Sequence, residues 1–411
     1  MFSGCAPAMR TELFKVSIMQ GERLMKLRQI ALVLHRYVGV MVGILLAIVS
    51  LTGSLLVFWK ELNVFLNPQM FQVVPQSDRV SVQFVVDTVR SAYPDWQLNF
   101  MDLPRTLNSV YTVKMLLNDG GRASIYLDPY TGAVLGSQEW GRTVMSFIYN
   151  FHISLLGGKA GETVVGICGL LLLLLTVTGL ILWPGWKKLA AGFAIRWRSS
   201  SQLINYDLHK VGGILSCVFL IAIASTGTAM TFETQFKSAV YSLAGTPKPP
   251  QLTSTIVANS PPISADIVLQ KADLALPSGK SISITFPRKP QGIFVVRKRL
   301  VGDIHPNGSS NVYLDRYSGE VLRVENSFTA NAASRIIISW FPLHIGAFGG
   351  LTTRILYVFI GLTPTLLSIT GLVLWRRRQW RLATRREASR QITATVAEPQ
   401  KIYPIAEWPW F

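Results

Sequence analysis

Acidic residues are scarce in this chain of 411 residues: 22 Asp and Glu stand against 40 Lys and Arg, and charged residues of every kind make up only 15%. So little charge beside 49% hydrophobic residues excludes an ordinary soluble protein of this length. Cysteine is nearly missing, with Cys5, Cys168 and Cys217 far apart, so no disulfide framework and no CxxC metal or redox motif exists. No CxxCH is present either, so any haem is held without a covalent link. GxGxxG and P-loop motifs are absent, which takes away the usual nucleotide and flavin signatures. Histidine occurs five times, at His35, His152, His209, His305 and His344.

What the chain has instead is long apolar runs. Four, near 30–58, 163–183, 211–232 and 355–375, have the roughly 20 residues that cross a bilayer. The first lacks a small-residue cleavage site and reads as a retained span rather than a signal peptide. The net charge of +18 does not mark a nucleic-acid binder, because the cations crowd beside the spans. Lys26 and Arg28 precede the first, Lys187, Lys188, Arg196 and Arg198 join the second to the third, and Arg376, Arg377, Arg378, Arg381, Arg385 and Arg386 follow the fourth. With four spans these clusters share one side, and the positive-inside rule makes it the cytoplasm, with both termini there.

Between spans lie two soluble stretches of the same grammar. In the first, Val82, Val85, Val86, Val89 and Tyr93 recur at helical spacing up to Pro94. A strand from Trp96 to Leu103 follows, then a hairpin around Asn118-Asp119-Gly120-Gly121, closed by Tyr126-Leu127-Asp128-Pro129-Tyr130-Thr131-Gly132. In the second, a helix near 264–276, a strand near 280–286 and a hairpin lead to Tyr313-Leu314-Asp315-Arg316-Tyr317-Ser318-Gly319, after a proline-rich start read as irregular. His209 lies 174 residues after His35, Pro277 183 after Pro94, Asp315 187 after Asp128, and His344 192 after His152. The offset grows in small steps and never shrinks, as a duplication with loop insertions does. Each copy carries two spans, so the copies run parallel, related by a pseudo-twofold axis along the membrane normal.

The reading gives these boundaries: a cytoplasmic leader (1–25); a first span (26–59); a periplasmic α+β domain (60–142); a periplasmic histidine segment with the second span (143–183); a basic link (184–207); a third span (208–232); a second α+β domain (233–334); a second histidine segment with the fourth span (335–375); and a basic tail (376–411). Four of the five histidines obey the repeat. The axis places His35 opposite His209 and His152 opposite His344, and two imidazoles facing each other in an apolar bundle suit a six-coordinate haem. Arg36 and Lys210, beside the first pair, are candidates for the haem carboxylates, as are Arg142 and Arg335 before the second. No Asp, Glu or Cys sits at repeat-equivalent places to complete a bare metal shell. His152 precedes Trp183 by 31 residues, too many for one straight span, so a break is expected at Gly157-Gly158. Glu162 and Arg354, each ten residues beyond its histidine, are candidates to pair with each other; His305, in a turn, breaks the repeat and reads as a surface residue, with substrate contact as its alternative.

These motifs resemble the PepSY-associated transmembrane family: His35-Arg36-Tyr37-Val38-Gly39, its partner His209-Lys210, the two Tyr-Leu-Asp-x-Tyr-(Ser/Thr)-Gly turns, and the Thr-Gly-Leu-x-Leu-Trp ends at 178–183 and 370–375. Within it the chain is most similar to the FoxB-type inner-membrane ferrisiderophore reductases. The resemblance implies four spans, two periplasmic PepSY-like domains, b-type haem and a link to iron uptake. The expected function is electron transfer through two b-type haems to a periplasmic ferric siderophore, releasing Fe(II). The donor is a partner: quinol from the membrane, or a flavin- or NAD(P)H-linked reductase. The alternative is a membrane-anchored PepSY regulator or peptidase-inhibitory binding protein without redox activity. A proton-coupled transporter fits less well, because no span carries Asp or Glu at its midpoint.

Overall fold

A computed structural model describes residues 6–257 and 260–397, with side chains from 25 to 390. The chain divides into two compact units. One comprises Met1–Gly43, Thr178–Ile214 and Leu366–Phe411; the other comprises Ile44–Val177 and Leu215–Thr365. Among the described residues, four helices are long and apolar enough to cross a membrane: Met25–Leu56, Gly158–Trp186, Ser201–Thr231 and Ala347–Arg390. They lie within α1 (Ala6–Leu56), α5 (Gly158–Leu182, extended by a single 3-10 turn), α7 (Ser201–Thr231) and α11 (Gly350–Ala397, preceded by another such turn). Residues 6–24, expected to form a separate leader, continue into the first span as helix; residues 1–5 lie outside the described residues.

In the first unit, the 184–207 link folds back through one aromatic bracket. Trp183 packs edge-on against Trp186 and Phe193 of α6 (Leu189–Phe193), and its Nε1 donates to Gly192 O at 3.3 Å. A Cβ on Gly185 or Gly192 would meet the Trp183 ring at 2.2–2.5 Å, so this turn admits only glycine.

The second unit holds the soluble elements. They are α2 (Trp59–Leu66), α3 (Val82–Ala92), β1 (Gln97–Asp102), β2 (Tyr111–Leu116), β3 (Arg122–Leu127) and β4 (Val134–Glu139), then α8 (Glu233–Leu243), α9 (Ala265–Ala275), β5 (Gly279–Thr285), β6 (Phe294–Leu300), β7 (Ser310–Leu314) and β8 (Val321–Glu325). The two repeats do not make two separate sheets. Their first strands pair antiparallel, Phe100↔Thr285, Met101↔Ile284 and Asp102↔Ser283, giving one eight-stranded sheet in the order β4-β3-β2-β1-β5-β6-β7-β8. Each repeat alone leaves β1 or β5 as an unpaired edge, and pairing them removes both edges.

α3 and α9 share one buried core with that sheet: Val85, Val86, Val89, Met101, Val113 and Ile125 from one repeat meet Val268, Ala272, Ile284, Val296, Val312 and Leu314 from the other. Each fully buried valine or isoleucine contributes about 1.5–3 kcal/mol. The helices also cap each other. Asp266 of α9 accepts from Val82 N and Gln83 N at the start of α3, and Gln83 Oε1 accepts from Ala265 N. The paired turns follow from their sequence: Asp128 Oδ1 accepts from Tyr130 N and Thr131 N while Gly132 takes φ +71°, and Asp315, Tyr317, Ser318 and Gly319 (φ +65°) repeat the arrangement.

Candidate functional site

The two histidine segments fold as short helices, α4 (Val144–Ser154) and α10 (Ala332–His344), broken from the spans that follow. The first break falls at Leu155 and Leu156, both left-handed (φ 48° and 62°), and at Gly158. Gly161 then lies so close to Ser154 O that a Cβ would meet it at 1.8 Å. The second break uses Gly346 and Gly350, both at φ +69°. These corners, expected near the glycines, bring each histidine against a glycine of a neighbouring span.

In the first unit His35 and His209 approach with ring centroids 6.1 Å apart and planes at 87°. His35 Nδ1 lies 3.0 Å from Thr178 Oγ1, and His209 Nδ1 lies 2.8 Å from Thr370 Oγ1. Thr370 already donates its hydroxyl proton to Leu366 O, one turn back (2.7 Å), so its oxygen accepts from His209 Nδ1–H. That fixes the tautomer: Nε2 carries the lone pair. Gly179 and Gly371, next to those threonines, sit against the imidazoles, where a Cβ would stand 3.2 and 3.3 Å from Cε1.

In the second unit His152 and His344 have centroids 6.2 Å apart, planes at 51°. His152 Nδ1 donates to Val49 O (2.8 Å) and His344 Nδ1 to Ile223 O (3.1 Å). Thr52 and Thr226 stand beside those bonds, with Oγ1 at 3.5 and 3.2 Å from Nδ1. A carbonyl only accepts, so both rings are Nδ1–H tautomers that present Nε2. Burial pushes His152 below the ordinary imidazole range and His344 down to about 4, which keeps both neutral. Gly53 and Gly227 press closer here: a Cβ would meet Cε1 at 2.7 and 2.8 Å.

Each Thr-Gly step inside a span (Thr52-Gly53, Thr178-Gly179, Thr226-Gly227 and Thr370-Gly371) is therefore the seat of a histidine from the other span of its own repeat. The periodic Thr-Gly pairs are visible in the sequence, but their role is not, because the contact joins residues about a hundred or more apart.

Two imidazoles that ligate one ion from opposite sides through bonds of about 2 Å, with ring radii of about 1.2 Å, hold their centroids about 6 Å apart. Both pairs have this separation. Among the described residues no three His, Cys, Asp or Glu side chains gather, so each pair suits a group that brings its own in-plane donors.

Other expected contacts are reassigned. Lys210, expected at the cofactor, spends its three donors on Ala191 O, Ala194 O and Asp207 Oδ1, at 2.7–2.9 Å. Asp207 is fully buried and also receives Arg196, so Lys210 anchors the link instead. Arg36 keeps its place beside His35, with Arg378 as a charged neighbour. Arg142 pairs with Glu139, and Arg335 donates to Ala330 O. Arg354 and Glu162 do not meet: Arg354 forks onto Glu61 of α2 (2.7 and 2.8 Å), and Glu162 pairs with Lys159 three residues back. His305 is half-buried, stacked on Phe341 with its Nδ1 accepting from Asn307 N at 3.0 Å.

The second pair opens on a cavity of about 1950 Å³. His152 and His344 line it together with Trp59, Trp140, Tyr149 and Tyr126. Trp59 stacks on Trp140, and Tyr149 stands edge-on to both.

The model of the PepSY-associated TM region matches residues 32–378, which takes in the whole of the second unit and about half of the first. The chain belongs to the PepSY-associated TM family. The matched region includes all four paired histidines and their Thr-Gly seats, so the site described above lies within the family's own segment. No curated protein matches the chain. Among solved structures, one match is a Clostridium difficile 630 protein described as a lipoprotein, at 12% identity, covering 61% of this chain and 95% of that one. Its TM-score of 0.25 is too low to bear on this fold.

Proposed function

We propose that this PepSY-associated membrane protein is a di-haem reductase of the bacterial inner membrane, similar to the FoxB-type enzymes, carrying electrons from a cytoplasmic-side donor to a periplasmic ferric siderophore and releasing iron as Fe(II). The observation that carries the reading is the double one: two imidazole pairs at 6.1 and 6.2 Å, with Nδ1 of every ring hydrogen-bonded. His35 and His209 hold one b-type haem, and His152 and His344 the other. Held by these residues, haem would supply a one-electron iron couple.

The chain's own residues do the rest. The threonines and carbonyls orient the imidazoles, the glycines leave room for flat rings, and the apolar helices keep water from the iron ligands. Arg36, which follows His35 in the sequence, would be the cation for a haem carboxylate at the first pair. The cavity beside the second pair takes the ferric chelate, and one-electron reduction weakens the hold of hard oxygen ligands on the iron. The basic flanks support a cytoplasmic side for the first pair, where the donor would be quinol or a flavin- or NAD(P)H-linked reductase.

A reduced-minus-oxidised visible spectrum of detergent-purified protein, with a pyridine haemochrome count, tests the reading. Sharp low-spin b-type bands and two haems per chain are expected. No haem after expression with ample haem supply would replace this reading with a PepSY-type regulator.

A further inference from the structure

The cavity beside His152 and His344 is lined by six cations and six carboxylates, and these are unevenly partnered. Most of its carboxylates are already answered. Glu61 receives Arg354, Asp102 lies 3.7 Å from Lys114, Glu162 pairs with Lys159, Glu139 with Arg142, and Glu233 with Lys237. Asp303 accepts from Leu300 N, Ser309 N and Ser327 Oγ.

Three lining cations have no such match: among the described residues no ion pair reaches Lys60, Arg105 or Arg299. Two of them converge on one neutral atom. Lys60 Nζ and Arg105 Nη2 both donate to Asn307 Oδ1, at 3.2 and 2.8 Å, and Arg105 Nη1 donates to Pro306 O at 2.8 Å. The turn that presents Asn307 is held by His305, whose Nδ1 accepts from Asn307 N. Two cations sharing an uncharged acceptor repel each other: burial, then the Arg105 charge, lowers the Lys60 pKa, and nearby Asp102 and Glu61 offset this only in part. An anion placed between them removes that cost.

We infer that this cavity selects ferric chelates of net negative charge, with Lys60, Arg105 and Arg299 as the anion-recognising wall. The inference rests on the proposed reduction of ferric chelates and narrows its substrate. The cavity also includes the space between His152 and His344, so the chelate would take only the part beyond the proposed haem, next to Lys60, Arg105 and Arg299.

Binding is separated from electron transfer by using gallium(III), which forms chelates of the same shape and charge but is not reduced. Equilibrium dialysis of the full-length protein in detergent would compare a trianionic gallium tris-catecholate with an uncharged gallium tris-hydroxamate. The tris-catecholate is expected to bind at least about tenfold tighter at low salt, with the margin shrinking as salt rises. Lys60→Gln with Arg105→Gln is expected to abolish the margin while leaving hydroxamate binding and haem content unchanged. Asn307→Asp, which keeps both cations and gives them a carboxylate, is expected to do the same. Equal or tighter binding of the hydroxamate overturns the charge selection and leaves the ferric-chelate reading standing. Binding of neither complex removes the ferric-chelate reading itself, and this inference with it.

Discussion

The two histidine pairs have nearly the same ring separation but different supports, and the difference separates what a side chain provides from what the backbone provides. His35 and His209 lean on the hydroxyls of Thr178 and Thr370, both 4% exposed. His152 and His344 lean on the main-chain carbonyls of Val49 and Ile223, with a threonine only as neighbour. The hydroxyl contacts can be deleted by one substitution each, whereas the carbonyl contacts, which His209 also makes through Leu367, cannot. The glycine seats differ the other way, tighter at the second pair by about half an ångström. The second pair also opens on the large cavity, as suits a site that meets substrate.

The comparison breaks most completely if the pairs are not separate sites. His35→Ala or His209→Ala is expected to remove one haem of two and leave the other, and His152→Ala or His344→Ala to remove its partner. A haemochrome count on each variant reads this directly; four variants with full haem content would end the ligand assignment. Next in size come the seats. Gly53→Ala and Gly227→Ala put a Cβ at 2.7 and 2.8 Å from Cε1, closer than real contacts allow, so the imidazole must move and the second haem is lost. Gly179→Ala and Gly371→Ala, at 3.2 and 3.3 Å, need a shift of only a few tenths of an ångström. The first haem is expected to stay bound, with a shifted midpoint potential measurable by redox titration.

The anchors sharpen the contrast further. Thr178→Val and Thr370→Val keep the shape and delete the hydroxyl acceptor; because the Leu367 carbonyl still binds His209, the expected loss in affinity for the first haem is at the low end of the about 10–100-fold seen for partners of ligating imidazoles. Thr52→Val and Thr226→Val leave the carbonyl bonds intact, and haem transfer to apomyoglobin should proceed at the parent's rate. Equal losses at both pairs would mean that the threonines of the second pair, not the carbonyls, hold its tautomers.

Much of this was legible in the sequence because it is periodic. Span positions, the α3 and α9 helices, the paired Asx turns and the break after His152 follow from apolar run length, helical spacing and glycine placement, all local signals. Three things were not legible. The junction of β1 with β5 joins strands about 180 residues apart, and nothing in either strand marks its partner. The short helices α2 and α8 follow directly on spans and carry no stop signal that separates them. Lys210 looked like a cofactor cation because it adjoins His209, but its fate is decided by Asp207 and by two carbonyls of the link, which only the folded link brings near. Arg354 likewise was matched by repeat position to Glu162, whereas a forked guanidinium goes to the carboxylate it can meet edge-on, Glu61.

The smallest expected effect concerns acid. The second pair's cavity has a titratable prop in its wall, while no histidine beyond His35 and His209 lies in the first unit. His305 faces Arg297, Arg105, Arg299 and Asp303, and burial with the Arg297 charge pushes its pKa from 6.5 down to about 4. As a neutral ring its Nδ1 accepts from Asn307 N; once protonated it can only donate, and the turn loses that bond. Folding therefore binds fewer protons at this site than the unfolded chain does. The cost is absent above pH 6.5, grows as pH falls, and is complete below about 4. The parent's unfolding midpoint should accordingly fall between pH 7 and 4 by more than that of His305→Gln, whose amide oxygen accepts at every pH. Because the same turn presents Asn307 to Lys60 and Arg105, chelate binding should weaken over the same window, while haem retention at His35 and His209 should not change with it. Parallel acid profiles in parent and variant would show that the turn is held by the Phe341 stack alone.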